Sequence, residues 1–225
     1  MPRTFRRMQD FDRRAELVRA TLDCIADNGI QDTTVRAVAS YAGVSPGLIR
    51  HHFQSKEAMI REAYREMVRL LAAPARAVIA AEGLTPHQRL AEFVAVSIGG
   101  EISDPRLLAL WATFIARIGA DPEMARIHDE GHFPYRASFE PLVEAVMAAE
   151  GRPPAPGQVP RLAVALTAII DGLWLEGALP KQDRPPQDYV AIGLETVAAL
   201  LRIDLPRPRP EAATDTATKA ATERE

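Results

Sequence analysis

The sequence has few of the residues on which covalent cross-links and many metal sites depend. It contains a single cysteine, Cys24, so no intrachain disulfide can form and a cysteine-based zinc site has no second thiolate. The phosphate-cradling pattern G-x-x-x-x-G-K-[ST] does not occur, which removes one strong signal of nucleotide chemistry. We therefore expect no catalytic residues, no cofactor and no metal, and a packing role for Cys24.

The chain also lacks a long hydrophobic run. Its longest apolar stretches, such as residues 162–170, fall short of the roughly 20 residues that a membrane-spanning helix needs. The basic N-terminus leads into a charged segment without an apolar core, unlike a secretory signal. Hydrophobic residues make up 47% and charged residues 25% of 225 positions, as in an ordinary globular protein of two domains. We expect a cytoplasmic protein with no membrane partner.

Basic side chains outnumber acidic ones only in the N-terminal part of the chain. The formal net charge is −3, but residues 1–69 hold 12 basic and 9 acidic side chains, whereas the remainder holds 15 and 21. A basic N-terminal part on an acidic body suggests that only the N-terminal part meets a polyanion.

Helical periodicity extends over nearly the whole chain, and no alternating strand pattern is convincing, which predicts an all-α fold. The first helix should run from Phe11 to Asp27 and end at Asn28-Gly29. The expected domains are residues 1–54, 55–205 and a disordered tail, 206–225, which has no large apolar residue to bury. After a short second helix, a third from Ser45 to Phe53 and a fourth from Ser55, further helices are expected over 86–100, 104–119, 122–149, 160–179 and 186–203.

The most informative segment runs from Thr33 to Glu57 and has the spacing of a helix-turn-helix. Ala39 is small where two helices would cross, and Gly43 can take the positive φ of the turn. Ile49 would pack the second helix of the motif back onto the first. Ser45 is a favoured N-cap, and Pro46 is tolerated at the first helical position. The residues therefore predict a small DNA-binding domain.

This segment resembles the TetR family, whose pattern reads T-[TS]-V-x-x-I-A-x-x-A-G-V-S-x-G-x-L-Y-Y-H-F-x-S-K-E. Arg50 and His51 replace the usual tyrosine pair, which affects the operator sequence rather than the fold. The resemblance implies a one-component regulator with an N-terminal DNA-binding domain and a larger helical domain for ligand binding and dimerisation. The matching positions are Thr33, Val35, Ala39, Ala42, Gly43, Val44, Ser45, Gly47, His52, Phe53, Ser55, Lys56 and Glu57.

The expected contacts with double-stranded operator DNA fall into two groups. Arg50 is the expected base reader, since its planar fork can donate two hydrogen bonds to guanine, while Ser45, Pro46 and Gly47 form the approaching end of its helix. The second group supplies donors to phosphates without reading bases, although Arg36 and Lys56 could equally be solvated charges. It comprises Thr33, Thr34, Arg36, His51, His52 and Lys56.

The body of the chain resembles the choline-responsive, BetI-like branch of the same family through residues 168–175 and the pair Ala178-Leu179. That resemblance implies a small effector, and choline or a related amine fits it best. A quaternary ammonium cannot donate hydrogen bonds, so aromatic faces and a carboxylate would hold it, with Trp111 and Trp174 on either side. The expected ligand-binding residues are Trp111, Phe114, Tyr135, Phe139, Asp171 and Trp174.

Three alternatives stay open at this point. The aromatic side chains could pack a solid core, in which case the body would only dimerise, and an apolar or acidic effector could replace the amine. His128 and His132 stand four residues apart, a spacing that suits zinc, but no further ligand is near in sequence and Gly131 is expected to interrupt their helix. The last two long helices should form a homodimer through Ala163, Leu166, Ile170, Trp174, Ile192, Val197, Leu200 and Leu201.

Overall fold

The structure is a computed structural model that describes residues 3–99, 104–179 and 185–209. Every regular element among these residues is an α-helix, so the all-α prediction is confirmed. The helices are α1 (Arg3–Asp32), α2 (Val35–Tyr41), α3 (Pro46–His52), α4 (Lys56–Ala80), α5 (Pro86–Ile98), α6 (Pro105–Ile118), α7 (Pro122–Ala137), α8 (Phe139–Ala149), α9 (Gln158–Ala178) and α10 (Pro186–Leu201).

The end of the first helix follows the sequence prediction. Gly29 lies within the α1 span but has φ 75 and ψ 166, so the regular helix stops there and only one further turn follows. Asn28 directly before it donates its side-chain amide to the carbonyl of Cys24, at 3.2 Å. The start differs from the prediction, because α1 begins at Arg3 rather than at Phe11.

The single helix expected over residues 122–149 is two helices, so that prediction is wrong. α7 ends at Ala137 and α8 begins at Phe139, with Ser138 between them. The Ser138 hydroxyl donates to the carbonyl of Pro134 at 2.9 Å, a local bond that competes with helix continuation. Gly131 does not interrupt α7, which is helical on both sides of it.

The chain divides into two compact units. The first comprises Met1–Arg69 and Ala109–Glu130, and the second comprises Leu70–Leu108 and Gly131–Glu225. The first unit therefore extends beyond the expected domain boundary after residue 54, because the first half of α4 belongs with the N-terminal helices. Helices α4, α6 and α7 each contribute residues to both units.

The core of the first unit is built from the apolar faces of α1 to α4. Cys24 is fully buried there, which confirms its predicted packing role. The buried members are Leu17, Val18, Ala20, Cys24, Val38, Ala39, Ile49, Phe53 and Met59.

The second unit has its own core, in which α5 packs against α8, α9 and α10. The contact of α5 with α10 is close at Gly193, where a Cβ would lie 2.3 Å from Cδ1 of Ile98. Beyond α10, Ile203 and Leu205 join this core, and the amide of Arg209 donates to Oε1 of Glu92 at 2.7 Å. Residues 206–209 are thus bound to the second unit, contrary to the expected tail, and residues 210–225 lie outside the described residues.

Helix α9 is unusually apolar for a helix that is only partly covered. Residues Gln158–Gly177 have a mean hydropathy of 1.3, enough by length and composition to cross a membrane, and 33% of that window is buried. The same helix supplies Ala163, Leu166 and Ile170 to the core of the second unit, which identifies it as a core helix. The rest of its apolar character comes from residues that are exposed in the protomer, such as Val164 and Leu175.

The turn of the helix-turn-helix depends on the backbone of Gly43, whose φ of 62 is in the left-handed region. We expect Gly43→Ala to lower the free energy of unfolding by about 1–2 kcal/mol, because a Cβ is disfavoured at that φ even in open space. The matched control is Gly47→Ala within α3, which should be neutral or stabilise by up to about 1 kcal/mol. Urea unfolding followed by circular dichroism measures the free energy of unfolding of both variants. Equal effects of the two substitutions would contradict the role given to Gly43 in the turn.

Candidate nucleic-acid interface and ligand site

Helices α2 and α3 form the predicted helix-turn-helix. Ala39 and Ile49 are almost completely buried, and Gly43 makes the turn with positive φ, so all three positions have the expected roles. The amide of Val44 donates to the carbonyl of Ala39 at 2.9 Å, which fixes the path of the turn. The exposed outer side of α3 can therefore face a partner while its inner side is fixed to the core.

Side-chain caps set the starts of both helices. Thr34 accepts a hydrogen bond from the amide of Ala37 at 3.1 Å, and Ser45 accepts one from the amide of Leu48 at 3.4 Å. Pro46 occupies the first position of α3, where no backbone donor is needed. Because these caps form within the protein, the start of α3 is ordered before any ligand arrives.

Basic side chains are among the exposed residues of this region. Arg36, Arg50 and His51 are exposed, and Arg50, His51 and His52 all lie in the last turn of α3. Lys56 is half-buried, and its Nζ donates to the carbonyl of Gln31 at 3.1 Å, so it also ties the start of α4 to the end of α1. An ammonium group has further donors, so this bond leaves Lys56 able to reach a phosphate.

Thr33 is the one predicted DNA contact that the structure contradicts. Its side chain is 0% exposed, and its hydroxyl donates to the carbonyl of Gly29 at 2.8 Å. The hydroxyl closes the turn after Gly29 and cannot reach a phosphate in this conformation. The neighbouring Thr34 is exposed, so the two threonines have different roles.

Residues Gly43 to Gly47 also have the spacing G-x-S-x-G of a hydrolase nucleophile turn, which the sequence reasoning overlooked. In hydrolases that serine follows a strand and is exposed on a strained turn. Here the motif joins α2 to α3, and the Ser45 hydroxyl is the N-cap of α3. Its surroundings are those of a capping residue and give no support to a nucleophile.

Phe114, expected to contact a ligand, is instead a core residue of the first unit. It is 0% exposed, and its ring stacks on Tyr64 with centroids 4.8 Å apart. The Tyr64 hydroxyl lies 3.0 Å from Nδ1 of His128, and burial raises the pKa of Tyr64 to about 12. Tyr64 thereby ties α4 to both α6 and α7.

Two ion pairs of residues next to Tyr64 in sequence connect α4 to the start of α7. The guanidinium of Arg61 donates to both carboxylate oxygens of Asp121 at 2.9–3.2 Å, and Arg65 donates to Glu123 at 2.8 Å. The hydrogen bond from Arg61 is the largest cause of the lowered pKa of Asp121, which also caps α7 by accepting from the amide of Glu123. Sequence reasoning missed these pairs. The Asp-Pro-Glu helix start was visible, but nothing in the periodicity points to a partner 60 residues earlier.

The two histidines considered as zinc ligands have other surroundings. His128 is half-buried beside Tyr64, and burial lowers the pKa of its imidazole while Asp129 partly opposes that shift. His132 lies against the ring of Phe133, with centroids 6.1 Å apart. No group of three or more metal-ligating side chains comes together within residues 3–99, 104–179 and 185–209.

Tyr135 and Phe139, two further expected ligand contacts, come together in the second unit. Their rings pack edge to face at 5.8 Å, and both contact Phe93, at 5.7 and 4.8 Å. Phe139 is 0% exposed and belongs to the core of the second unit. Tyr135 is half-buried, and burial raises the pKa of its phenol, which therefore stays protonated at neutral pH. A hydrogen bond with the side chain of Ser97 partly opposes this rise, and the nearby charge of Asp171 adds to it.

Asp171 combines two properties that rarely occur together. Its residue surface is exposed, yet burial raises the pKa of its carboxyl to about 6. Both hold for a carboxylate that protein atoms surround on several sides while solvent still reaches it.

The two tryptophans belong to different units. Trp111 is half-buried on α6 within Ala109–Glu130, and Trp174 is 6% exposed on α9, in the second unit. Only Tyr135, Asp171 and Trp174 among the predicted ligand residues therefore share the second unit and retain some exposure.

Most of the residues predicted for dimerisation are covered by the protomer itself, whereas Ile192 is half-buried and Leu200 is exposed. Ala163, Leu166, Ile170 and Trp174 are buried within the protomer, as are Val197 and Leu201 on α10. The exposed apolar residues lie on the opposite side of α9, at three- and four-residue spacing, and Leu200 on α10 is also exposed. Along α9 and at its C-cap they are Val164, Ala168, Leu175 and Leu179, with Gly172 in open space between them.

Family profiles match both the N-terminal and the C-terminal part of the chain. The profile described as "Bacterial regulatory proteins, tetR family" matches residues 17–63, and that described as "BetI-type transcriptional repressor, C-terminal" matches residues 86–202. A relative from Burkholderia thailandensis, named HTH-type transcriptional regulator BetI, is 35% identical over 169 residues, which are 74% of this chain and 82% of that protein.

Solved structures show the same fold. A transcriptional regulator from Pseudomonas aeruginosa PAO1 matches with a TM-score of 0.76 and 32% identity over 85% of this chain and 91% of that one. A regulator from Saccharomonospora viridis, solved in complex with choline, matches with a TM-score of 0.68 over 82% and 94% of the two chains. At 18% identity, the second likeness concerns the fold alone.

The raised pKa of Asp171 makes stability depend on pH. The folded-state pKa, about 6, exceeds the ordinary value of 3.8, so the charged carboxylate destabilises the fold increasingly as pH rises from about 4 to 6. We expect Asp171→Asn to raise the melting temperature at pH 7.5 and to leave it unchanged near pH 3.5. Calorimetry at one fixed protein concentration measures this, with Glu195→Gln as the control for loss of a negative charge. An equal rise in melting temperature at both pH values would contradict the raised pKa of Asp171.

Proposed function

The chain belongs to the TetR family of transcriptional regulators and has a BetI-type C-terminal domain, and from this premise we propose that it is a homodimeric repressor whose operator is an inverted repeat and which a small effector releases from DNA. The family is one of DNA-binding repressors and not of enzymes. The observation that carries the proposal is the helix-turn-helix, whose exposed outer side presents Arg36, Arg50 and His51. The protein would act in the cytoplasm, where its DNA lies.

The proposed DNA contacts follow from exposure and chemistry. Arg50 would read a guanine in the major groove, with Pro46 and Gly47 at the approaching end of α3. The expected phosphate contacts, whose donors add affinity without sequence information, are Thr34, Arg36, His51, His52 and Lys56. Thr33 is omitted because its hydroxyl is buried.

Arg50 and Lys56 separate these two roles experimentally. We expect Arg50→Ala to weaken specific binding by about 1–3 kcal/mol and to relax preference at one base step. Lys56→Ala should weaken binding to all sequences alike and flatten the salt dependence by about one unit of slope. Gel-shift titrations of operator and scrambled DNA over a salt series measure both. Equal losses on every sequence for both variants would remove the assignment.

The exposed apolar face of α9 supports the homodimer. Val164 is 51% exposed, and Leu175 and Leu179 are 40% and 41% exposed, an arrangement that water disfavours unless another surface covers it. A twofold axis would bring this face against the same face of a second copy, which is the usual symmetry of soluble dimers. An inverted-repeat operator also requires two copies of α3, one for each half of the repeat.

A charge on this face should separate the protomers. We expect Val164→Asp and Leu175→Asp each to shift the protein from dimer to monomer at micromolar concentration, because a carboxylate would be buried without a partner. Ile79→Asp is the matched control, since Ile79 is 42% exposed but lies on α4. Sedimentation equilibrium measures the mass. A monomeric wild-type protein, or an unchanged dimer in both α9 variants, would refute this interface.

For the effector we propose a small cation, choline or a related amine, bound in the second unit near Asp171, Tyr135 and Trp174. A desolvated carboxylate is stabilised by a cation, and aromatic faces attract one that cannot donate hydrogen bonds. The choline complex of a regulator with the same fold supports this choice. The alternatives are an apolar or acidic effector and a body that only dimerises. The close packing of Phe114 and Phe139 favours the second of these.

Calorimetric titration tests the effector. We expect choline to bind wild-type protein at pH 7.5 and to bind less tightly as pH falls below about 6, because Asp171 then becomes protonated and loses its charge. Asp171→Asn should weaken binding at pH 7.5 and remove that pH dependence, and Trp174→Phe should retain most of the affinity. Absence of heat with choline, betaine aldehyde and betaine at millimolar concentration would exclude this class of effector, with the DNA-binding results unaffected.

A further inference from the structure

We propose that Arg14 is a specificity-determining residue that positions the last turn of α3 without touching DNA. Its guanidinium lies over the ring of Phe53, the residue that ends α3, and pairs with the carboxylate of Glu62 on α4. All three residues belong to the first unit. The inference rests on the proposed DNA-binding function and adds to it a residue outside the proposed DNA contacts.

Helix α3 has few anchors of its own. Of its seven residues, Pro46–His52, only Ile49 is buried. The next buried residue is Phe53, directly after the helix, which is 4% exposed and belongs to the core of the first unit. Its amide donates to the carbonyl of Ile49 at 2.8 Å. The last turn, which carries Arg50 and His51, is therefore held between these two anchors.

Arg14 supports the second anchor. Its guanidinium carbon lies over the face of the Phe53 ring, 5.4 Å from the centroid, where the negative face of the ring attracts a cation. The Arg14 side chain is 46% exposed, so a partly solvated cation covers an almost completely buried ring. A planar guanidinium suits this position because it can stack on an aromatic face, which an ammonium group cannot do.

The orientation of Arg14 is set from α4. Its Nη2 lies 2.9 Å from Oε2 of Glu62. Glu62 also pairs with Arg65 on the same helix, and Arg65 pairs with Glu123 at 2.8 Å. Charges in such a network contribute more than an isolated surface pair, because the ordering of each side chain serves more than one contact. Arg14 is thereby held over the ring.

A row of rings leads from Phe53 to the proposed DNA contacts. The ring of His52 lies 6.5 Å from that of Phe53, and the ring of His51 meets that of His52 edge to face at 5.3 Å. Arg50, the proposed base reader, lies in the same turn. A displaced Phe53 would therefore displace all of these side chains. Base reading would be lost first, because a bidentate contact to a base edge needs stricter geometry than a contact to a phosphate.

A direct phosphate contact is the competing role for Arg14, and it has a different signature. A lost phosphate contact weakens binding to every sequence and flattens the salt dependence, because fewer counterions are released. Positioning affects binding to the preferred sequence and leaves the salt dependence as it is. The two roles can therefore be separated by measuring both quantities.

The test compares Arg14→Lys with Arg13→Lys in the full-length protein. Lysine keeps the charge and can pair with Glu62, but it lacks the planar guanidinium. Arg13 is the matched control, because its side chain is 50% exposed and pairs with Glu16 on its own helix. The probes are an inverted repeat that the wild-type protein selects from random duplexes and a scrambled duplex of the same length. Fluorescence anisotropy over a salt series gives the affinities, urea unfolding gives the stability, and hydrogen exchange reports the amides of residues 50–53.

We expect Arg14→Lys to lower the affinity for the selected duplex by about two- to fivefold, with the affinity for the scrambled duplex and the salt dependence unchanged. Exchange at residues 50–53 should become faster by a similar factor, because the last turn of α3 loses part of its support. Arg13→Lys should change none of these quantities. In a Phe53→Leu background, Arg14→Lys should have no further effect, because leucine has no aromatic face.

Two results would overturn the proposal. One is an equal loss of affinity on both duplexes with a flatter salt dependence, which would assign Arg14 to a phosphate. The other is an unchanged preference for the selected duplex in Arg14→Lys, whether or not exchange becomes faster. If the wild-type protein selects no duplex, the proposed DNA-binding function fails, and exchange at residues 50–53 then decides by itself whether Arg14 holds the end of α3.

Discussion

The packing of Tyr64 between α6 and α7 is the contact on which the first unit depends. Its ring is 1% exposed, stacks on Phe114 and directs its hydroxyl to His128. Removing a buried aromatic of this size typically costs about 3–5 kcal/mol, more than a surface ion pair contributes. The surrounding pairs of Arg61 with Asp121 and of Arg65 with Glu123 then fix the orientation that this packing permits. As a result, residues far apart in sequence share one compact unit with the DNA-binding helices.

Local chemistry let the sequence predict the helix-turn-helix in detail. Gly43 and Ile49 are recognised by properties that act within a few residues, namely positive φ and a short apolar spacing. Long-range packing limited the rest. The face of α9 that carries Ile170 looked like an interface because periodicity shows that a stripe is apolar, but not which of two apolar stripes the protomer covers. Thr33 was misread for a similar reason, since a threonine near a helix start can cap, close a turn or face solvent.

The effector region shows the same limit. Aromatic residues in the body suggested a cage, yet Phe114 and Phe139 are fully buried against other rings. Asp171 could be singled out from sequence as a carboxylate in an apolar helix, but its solvent access could not. It lies on the exposed side of α9.

A double-mutant cycle on Arg61 and Asp121 tests most directly whether residues 109–130 and the DNA-binding helices are one body. Free energies of unfolding are measured at pH 7 for wild type, Arg61→Ala, Asp121→Ala and the double variant, at one protein concentration. The geometry predicts that the two single-variant losses of free energy of unfolding add up to about 1 kcal/mol more than the loss in the double variant. The reason is that the pair forms two or more hydrogen bonds in a partly buried setting. This coupling should vanish as pH falls through the lowered pKa of Asp121. Additive effects at pH 7 would contradict the account.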